Sequence, residues 1–130
     1  MVVFLDTSAI FALADSNDIH HSLAKSHFEK ALKNGVKLVT HNYILLESMA
    51  LLANRLGIKI ARVFSKESSF FYIYWIDQKR HQTAIKEWSY RKSKVSFVDR
   101  VSFCLMKELG ITTAFAFDSD FTKEGLLLYS

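Results

Sequence analysis

The sequence of 130 residues contains no proline, only four glycines and a single cysteine. It has no low-complexity segment, no internal repeat and no linker, so its length predicts one domain, residues 1–130. The lone Cys104 excludes an internal disulfide, which fits a protein of the reducing cytoplasm. The longest clear apolar run, residues 70–76, is too short for a membrane span, which needs roughly 18 residues. We expect no signal peptide, because Asp6 interrupts the first apolar run.

Charge is distributed unevenly along the chain. The net charge is +4, but the segment 55–107 holds twelve basic residues against four acids, a net charge of +8, so the remainder carries −4. A basic middle beside acidic ends favours a polyanionic partner, with metal ions between its phosphates and the carboxylates. Scattered, solvated lysines are the alternative interpretation.

Short apolar runs alternate with amphipathic segments, and this pattern predicts strands separated by helices. Strands separated by helices pair in parallel through right-handed crossovers, so we expect an α/β fold with helices on both faces of the sheet. The predicted strands are 2–5, 37–40, 71–76, 113–117 and 126–129. The predicted helices are 8–14, 19–34 with Asp18 as its cap, 43–56, 58–71, 77–92 and 96–109.

Two of the predicted strands end in aspartate. The first strand runs into Asp6, and the fourth runs into Asp118 and, two residues later, Asp120. The carboxyl ends of parallel strands meet at one edge of the sheet, so these acids are expected in a shared pocket. Taken singly, each has an ordinary interpretation, Asp6 as a helix cap and the other two as turn residues.

Two further acids lie on helices. Glu47 is surrounded at helical spacing by apolar residues, and an unpaired carboxylate buried there would cost several kcal/mol or take up a proton. Asp99 follows Ser96 at the spacing of a capping box and also lies in the first turn of an apolar helix. Ser96 can cap the helix while Asp99 points into the pocket.

The four acids Asp6, Glu47, Asp99 and Asp118 therefore come from separate elements. Carboxylates held close together repel one another unless a divalent cation lies among them. An all-oxygen ligand set indicates Mg²⁺ or Mn²⁺ rather than zinc, and the five histidines have no metal-ligand spacing, so we interpret them as solvated or capping residues.

These motifs resemble the PIN-domain nucleases, particularly the small VapC-type toxins of type II toxin–antitoxin modules. The likeness covers nearly the whole chain and rests on four features: FLDTSAI near the start, Glu47, SFVDRVSFCLMKELGI from Ser96, and FAFDSDFTKEG from Phe115. It implies a three-layer α/β/α sandwich with strand order 3-2-1-4-5. Many members carry a hydroxyl residue two places before the last metal-binding aspartate, where this chain has Ala116.

By this resemblance, Asp6, Glu47, Asp99 and Asp118 are the catalytic, metal-binding residues, and Ser8, Ser96 and Asp120 support them. It implies cleavage of RNA (tRNA, rRNA or mRNA) by a water molecule activated by one or two Mg²⁺ or Mn²⁺ ions, leaving 5′-phosphate products. It also implies a homodimer and a protein antitoxin, with no role for a membrane. The candidates for gripping the RNA backbone are four basic residues near the acids: Arg91, Lys92, Lys94 and Arg100.

Two other functions remain open. The first is a non-catalytic module that binds nucleic acid or a protein partner, in which the acids are only caps and turn residues. The second is a Mg²⁺-dependent phosphohydrolase for small phosphate esters. Such enzymes often have a second acid two residues after an aspartyl nucleophile. Ser8 occupies that place here, which argues against this function.

Overall fold

A five-stranded parallel sheet forms the centre of the computed structural model, which describes all 130 residues. The strand order is β3-β2-β1-β4-β5, which confirms the order implied by the resemblance. The strands are β1 (Val2–Leu5), β2 (Lys37–His41), β3 (Tyr72–Tyr74), β4 (Thr113–Phe115) and β5 (Leu127–Leu128).

Seven α-helices cover the two faces of the sheet. They are α1 (Thr7–Ala14), α2 (His21–Lys33), α3 (Asn42–Leu56), α4 (Ile58–Glu67), α5 (Gln78–Tyr90), α6 (Phe97–Leu109) and the short α7 (Asp120–Lys123). The crossovers from β1 to β3 run one way across the sheet, and right-handed connection places α1 to α4 on one face. The return crossover from β3 to β4 places α5 and α6 on the other, which completes the three-layer α/β/α sandwich.

The central strand β1 is apolar because both of its faces are covered. Val3, Phe4 and Leu5 have no solvent exposure, as expected for a strand buried between two helical layers. Leu5 is paired in register with Phe115 of β4, and the Asp6 N–H donates to the Phe115 carbonyl at 3.1 Å. The residues that follow β1 and β4 therefore leave the sheet side by side. No helix is both long enough and apolar enough to span a membrane.

The structure corrects three predicted boundaries. Asp18 does not cap α2: its carboxylate accepts the His20 N–H at 2.8 Å in the preceding turn, and α2 begins at His21. The predicted strand 71–76 is shorter, because the N–H of Ile76 turns away from β2 to donate to the Asn42 side chain at 2.6 Å. The predicted helix 58–71 ends as an α-helix at Glu67 and continues as one 3₁₀ turn, residues 68–70.

His41 is a buried cap that fixes the start of α3. Its Nδ1 accepts the N–H groups of Tyr43 and Ile44 at 3.2 and 3.3 Å, so the neutral ring carries its proton on Nε2 and donates to the Ser102 hydroxyl at 2.8 Å. Burial lowers the pKa of His41 to about 3. His41 is thus one of the capping histidines expected from the sequence, although it is not solvated.

We expect His41→Ala to lower the free energy of unfolding at pH 7.5 by about 2 kcal/mol, since it removes a cap and leaves the Ser102 hydroxyl with an unfilled site. His41→Asn should lose about half as much, because its side-chain oxygen can accept the same two N–H groups. The stabilisation from neutral His41 is fully present above pH 6.5 and is lost as the pH falls towards 3. Urea denaturation at pH 7.5 and 5 measures both effects, and equal losses in the two variants would contradict the capping role.

Candidate active site

Asp6 is held in place by the serine two residues later. It is 4% exposed, and its Oδ2 accepts the Ser8 N–H at 3.1 Å and the Ser8 hydroxyl at 2.6 Å. The same hydroxyl oxygen accepts the Phe117 N–H at 2.9 Å. Ser8 therefore connects the carboxylate at the end of β1 to the backbone just before Asp118.

Three further carboxylates converge at the same edge of the sheet. Asp99, Asp118 and Asp120 each offer an oxygen atom, and these atoms lie within 4.8 Å of one another. The N–H of Asp120 donates to Asp118 Oδ1 at 2.9 Å, which fixes the turn that carries both. Ser96 caps α6 by accepting the Asp99 N–H at 3.1 Å. The side chain of Asp99 makes no return bond to Ser96, so it is free to face the other two acids.

The carboxylates of the site raise one another's pKa values. Burial raises the pKa of Asp6 to about 6, against the effect of its Ser8 bonds, and the charges of Glu47 and Asp118 add to the rise. The pKa of Asp99 is raised to about 7, first by burial and then by the charges of Asp6, Asp118, Glu47 and Asp120. Burial and the mutual repulsion of these carboxylates thus both favour the protonated forms of Asp6 and Asp99.

Glu47 is the fifth acid that contributes to this field. It lies on α3, is partly buried, and makes no hydrogen bond or ion pair with the protein. Its charge contributes to the raised pKa of both Asp6 and Asp99. The structure thus brings all four acids of the sequence-based set into one electrostatic group, and places Asp120 with Asp99 and Asp118 in its tightest part.

A divalent cation fits this donor set. Oxygen atoms from three carboxylates within 4.8 Å match the ligands that Mg²⁺ and Mn²⁺ prefer, and no histidine or cysteine shares the cluster. The raised pKa of Asp99 points the same way, because a cation would replace repulsion with attraction. The residues able to hold it are Asp99, Asp118 and Asp120, with Asp6 and Glu47 in the same field.

The four basic residues proposed for RNA contact differ in their surroundings. Lys92 and Lys94 are exposed on the loop between α5 and α6, which leads directly to Ser96. Arg91 is also exposed but forms an ion pair with Glu87 at 3.3 Å. Arg100 is a correction: it is 2% exposed and pairs with Glu124 at 2.9 Å, so its guanidinium group is not available to grip RNA.

Two contacts at the site were not predicted from the sequence. The Ser48 hydroxyl donates to the Thr7 hydroxyl at 3.4 Å, joining α3 to α1 beside Asp6. The side chain of Phe117 is stacked under that of His20, with ring centroids 4.5 Å apart. Neither contact has a sequence signal, since each joins residues far apart in the chain. Ala116 is buried.

A scan of protein families matches the PIN domain over residues 3–125, nearly the whole chain. The chain belongs to the PIN-domain family. This confirms the resemblance that was drawn from the motifs. The PIN-domain match spans the acids Asp6, Glu47, Asp99, Asp118 and Asp120.

Two named relatives are similar to this PIN domain over nearly its full length. Both are named 23S rRNA-specific endonuclease VapC20, from the CDC 1551 / Oshkosh and H37Rv strains of Mycobacterium tuberculosis. Each is 33% identical over 130 residues, which cover 97% of this chain and 96% of the relative. The crystal structure of M. tuberculosis VapC20, described as a sarcin–ricin loop cleaving toxin, superposes with a TM-score of 0.87. That alignment has 28% identity and covers 98% of this chain and 97% of the solved one.

Proposed function

We propose that this PIN domain is a divalent-metal-dependent endoribonuclease of the VapC type. The observation that carries the proposal is the convergence of Asp99, Asp118 and Asp120 within 4.8 Å, in the field of Asp6 and Glu47. Full-length similarity to VapC20, a 23S rRNA-specific endonuclease, supports it. The group consists of carboxylates, and hydrolysis by a metal-activated water molecule needs no nucleophilic side chain.

The positions of the acids suggest different roles for them. Asp99, Asp118 and Asp120 would hold Mg²⁺ or Mn²⁺, and Asp6 and Glu47 would complete its surroundings or orient the attacking water. When bound, the cation supplies a lowered pKa for a coordinated water and offsets charge on the scissile phosphate. Ser8 keeps the Asp6 carboxylate in one orientation through the 2.6 Å bond. Attack by water on phosphorus would break its bond to the 3′-oxygen, which leaves in line and takes up a proton, so the products are a 5′-phosphate and a 3′-hydroxyl.

The loop between α5 and α6 is the first candidate for holding the RNA backbone. Lys92 and Lys94 are exposed there, a few residues before Asp99, and Arg91 can join them if the charge of Glu87 is screened. Each lysine that neutralises a phosphate makes binding more sensitive to salt.

Similarity to the relatives also supports a narrower assignment. We infer that the substrate is ribosomal RNA, with the sarcin–ricin loop of 23S rRNA as the first fragment to test. By the same similarity, we propose that this protein acts in the cytoplasm, forms a homodimer and is inhibited by a protein antitoxin. The candidate contacts for the antitoxin are the exposed and half-buried apolar residues of α4 and the following turn: Ile60, Phe64, Phe70 and Phe71.

The decisive experiment is cleavage of a 23S rRNA fragment containing the sarcin–ricin loop, in Mg²⁺, in Mn²⁺ and in EDTA. We expect a single major cut with a 5′-phosphate that EDTA abolishes and added metal restores. Mn²⁺ calorimetry on the same sample separates the alternatives, since a non-catalytic binding module should give no metal signal. Cleavage that persists in EDTA would reject the metal-dependent mechanism.

A further inference from the structure

His20 forms a flat aromatic surface with Phe117, the residue that precedes Asp118. Its imidazole lies parallel to the Phe117 ring, with an interplanar angle of 8° and 4.5 Å between ring centroids. Phe117 immediately precedes Asp118, and its N–H is bonded to the Ser8 hydroxyl that also holds Asp6. The stack is therefore attached to the same backbone that positions two of the acids.

The position of His20 is fixed from both sides along the chain. Its own N–H donates to the Asp18 carboxylate at 2.8 Å. The next residue, His21, is bonded through Nδ1 to the Ala12 carbonyl at 2.7 Å. The ring is thus presented by a well-tied turn, which limits the conformational entropy lost when a ligand contacts it.

Ordinary core packing does not explain this histidine fully. His20 occupies the N-cap position of α2, yet its side chain makes no capping bond. Neither of its ring nitrogens makes a hydrogen bond to the protein, and the residue is partly exposed. A residue needed only to cover Phe117 would gain from being apolar, whereas an imidazole in solvent keeps both a stacking face and hydrogen-bonding edges.

We propose that His20, supported by Phe117, is a stacking surface for an unpaired base of the RNA, next to the nucleotide whose phosphate is cleaved. Unstacked bases of single-stranded and loop RNA are commonly bound on aromatic or histidine rings. Phe117, on which His20 is stacked, is the residue before Asp118, so a base resting on His20 would help to position the adjoining phosphate at the acids. This inference rests on the proposed ribonuclease function and makes His20 a residue for substrate selection.

The test compares His20→Ala with His20→Phe, which keeps a ring on Phe117. Leu23→Ala, an exposed position in the first turn of the same helix, is the matched control. On the sarcin–ricin loop fragment we expect His20→Ala to lower kcat/KM about tenfold, and His20→Phe and Leu23→Ala to stay within about twofold. Wild-type kinetics in His20→Ala would overturn the proposal, as would a deficit of equal size in His20→Phe.

Abasic substitution identifies the base. Removing one base at a time around the cleavage site should reveal one position where wild-type cleavage falls about tenfold and His20→Ala causes no further loss. If the two losses multiply at every position, His20 does not contact a base. Mn²⁺ affinity is the second readout: a weaker metal site in His20→Ala would show that the stack only supports Asp118, and would overturn the proposal.

Cleavage by the wild type shows whether a negative result counts against the stacking role of His20 or against the proposed ribonuclease function. Absence of wild-type cleavage counts against the ribonuclease assignment. In that case, fluorescence anisotropy with the labelled fragment decides about His20. Binding that is unchanged in His20→Ala would overturn the stacking role, and binding about tenfold weaker, with Leu23→Ala unaffected, would support it.

Discussion

Asp99→Asn is expected to lower RNA cleavage by about 10³-fold or more while raising the melting temperature of the metal-free protein. The loss of cleavage follows because the substitution removes a carboxylate from the tightest group of acids, and several kcal/mol of catalysis depend on the metal held there. The gain in stability follows because Asp99 must ionise in a crowded, acidic site when no metal is present.

The pH dependence has a definite sign. The pKa of Asp99 is raised from 3.8 to about 7, so the folded protein binds this proton more tightly than the unfolded chain does. The resulting stabilisation is fully present below pH 3.8 and is lost as the pH rises through 7. The full shift would correspond to about 4 kcal/mol, which we reduce to about 1–2 kcal/mol because the carboxylate is partly exposed to solvent.

The measurement is thermal unfolding of wild type and Asp99→Asn in EDTA from pH 5.5 to 8. The melting temperature of the variant should exceed that of the wild type by a growing margin, reaching about 4–8 °C at pH 8. Taking the difference between the two proteins cancels the titration of His41. Asp77→Asn is the matched control, because Asp77 caps α5 outside the acidic group. A margin that shrinks with pH, or full activity in Asp99→Asn, would contradict the role of Asp99.

Much of the site could be predicted because its acids follow local patterns. Asp6 and Asp118 end short apolar runs, and parallel pairing brings such ends together whatever the details of packing. Glu47 was identified because its helix is apolar on nearly every side. Ser96 was recognised as a cap, and the structure shows that bond at 3.1 Å. These inferences need only the spacing of residues and the topology of the sheet, and both can be inferred from the sequence.

The rest of the site depends on the directions in which side chains point in the folded protein, and no local sequence pattern encodes these directions. The resemblance makes Asp120 a residue that supports the metal ligands. In the structure, the turn into α7 brings a carboxylate oxygen of Asp120 within 4.8 Å of those of Asp99 and Asp118, so Asp120 can itself be a ligand. Arg100 was assigned to RNA because it adjoins Asp99. One residue along a helix rotates the side chain by about 100°, and this rotation carries Arg100 away from the acids and into the protein. His41 had no visible partner, because Ser102 lies 61 residues away.

The second large expected effect is a loss of stability on replacement of Arg100. Its Nη2 donates to Glu124 at 2.9 Å, and the two groups are only 2% and 17% exposed. We expect Arg100→Met to lower the free energy of unfolding by about 3 kcal/mol, because the substitution leaves Glu124 charged and mostly buried. Arg91, 3.8 Å from the same carboxylate, limits the loss. Urea denaturation at pH 7.5 measures it.

The double variant Arg100→Met, Glu124→Gln separates loss of the charge pair from loss of packing. With both charges removed, no buried carboxylate is left without a partner, and we expect most of the stability to return. If the double variant is as unstable as Arg100→Met, the arginine contributes mainly through its contacts with neighbours such as Phe103, whose ring centroid lies 5.4 Å from its guanidinium carbon.

The double variant Lys92→Ala, Lys94→Ala should have the opposite effect to Arg100→Met, because it changes exposed residues. These side chains are exposed, so the variant should unfold like the wild type while binding RNA more weakly and with a shallower dependence on salt. Arg100→Met should do the reverse, losing stability with no change in the salt dependence of RNA binding. An Arg100→Met protein that unfolds normally but binds RNA poorly would restore Arg100 to the RNA-binding residues. The expected opposite pattern would establish that the basic residue nearest to Asp99 in sequence supports the fold, and that the loop before α6 holds the substrate.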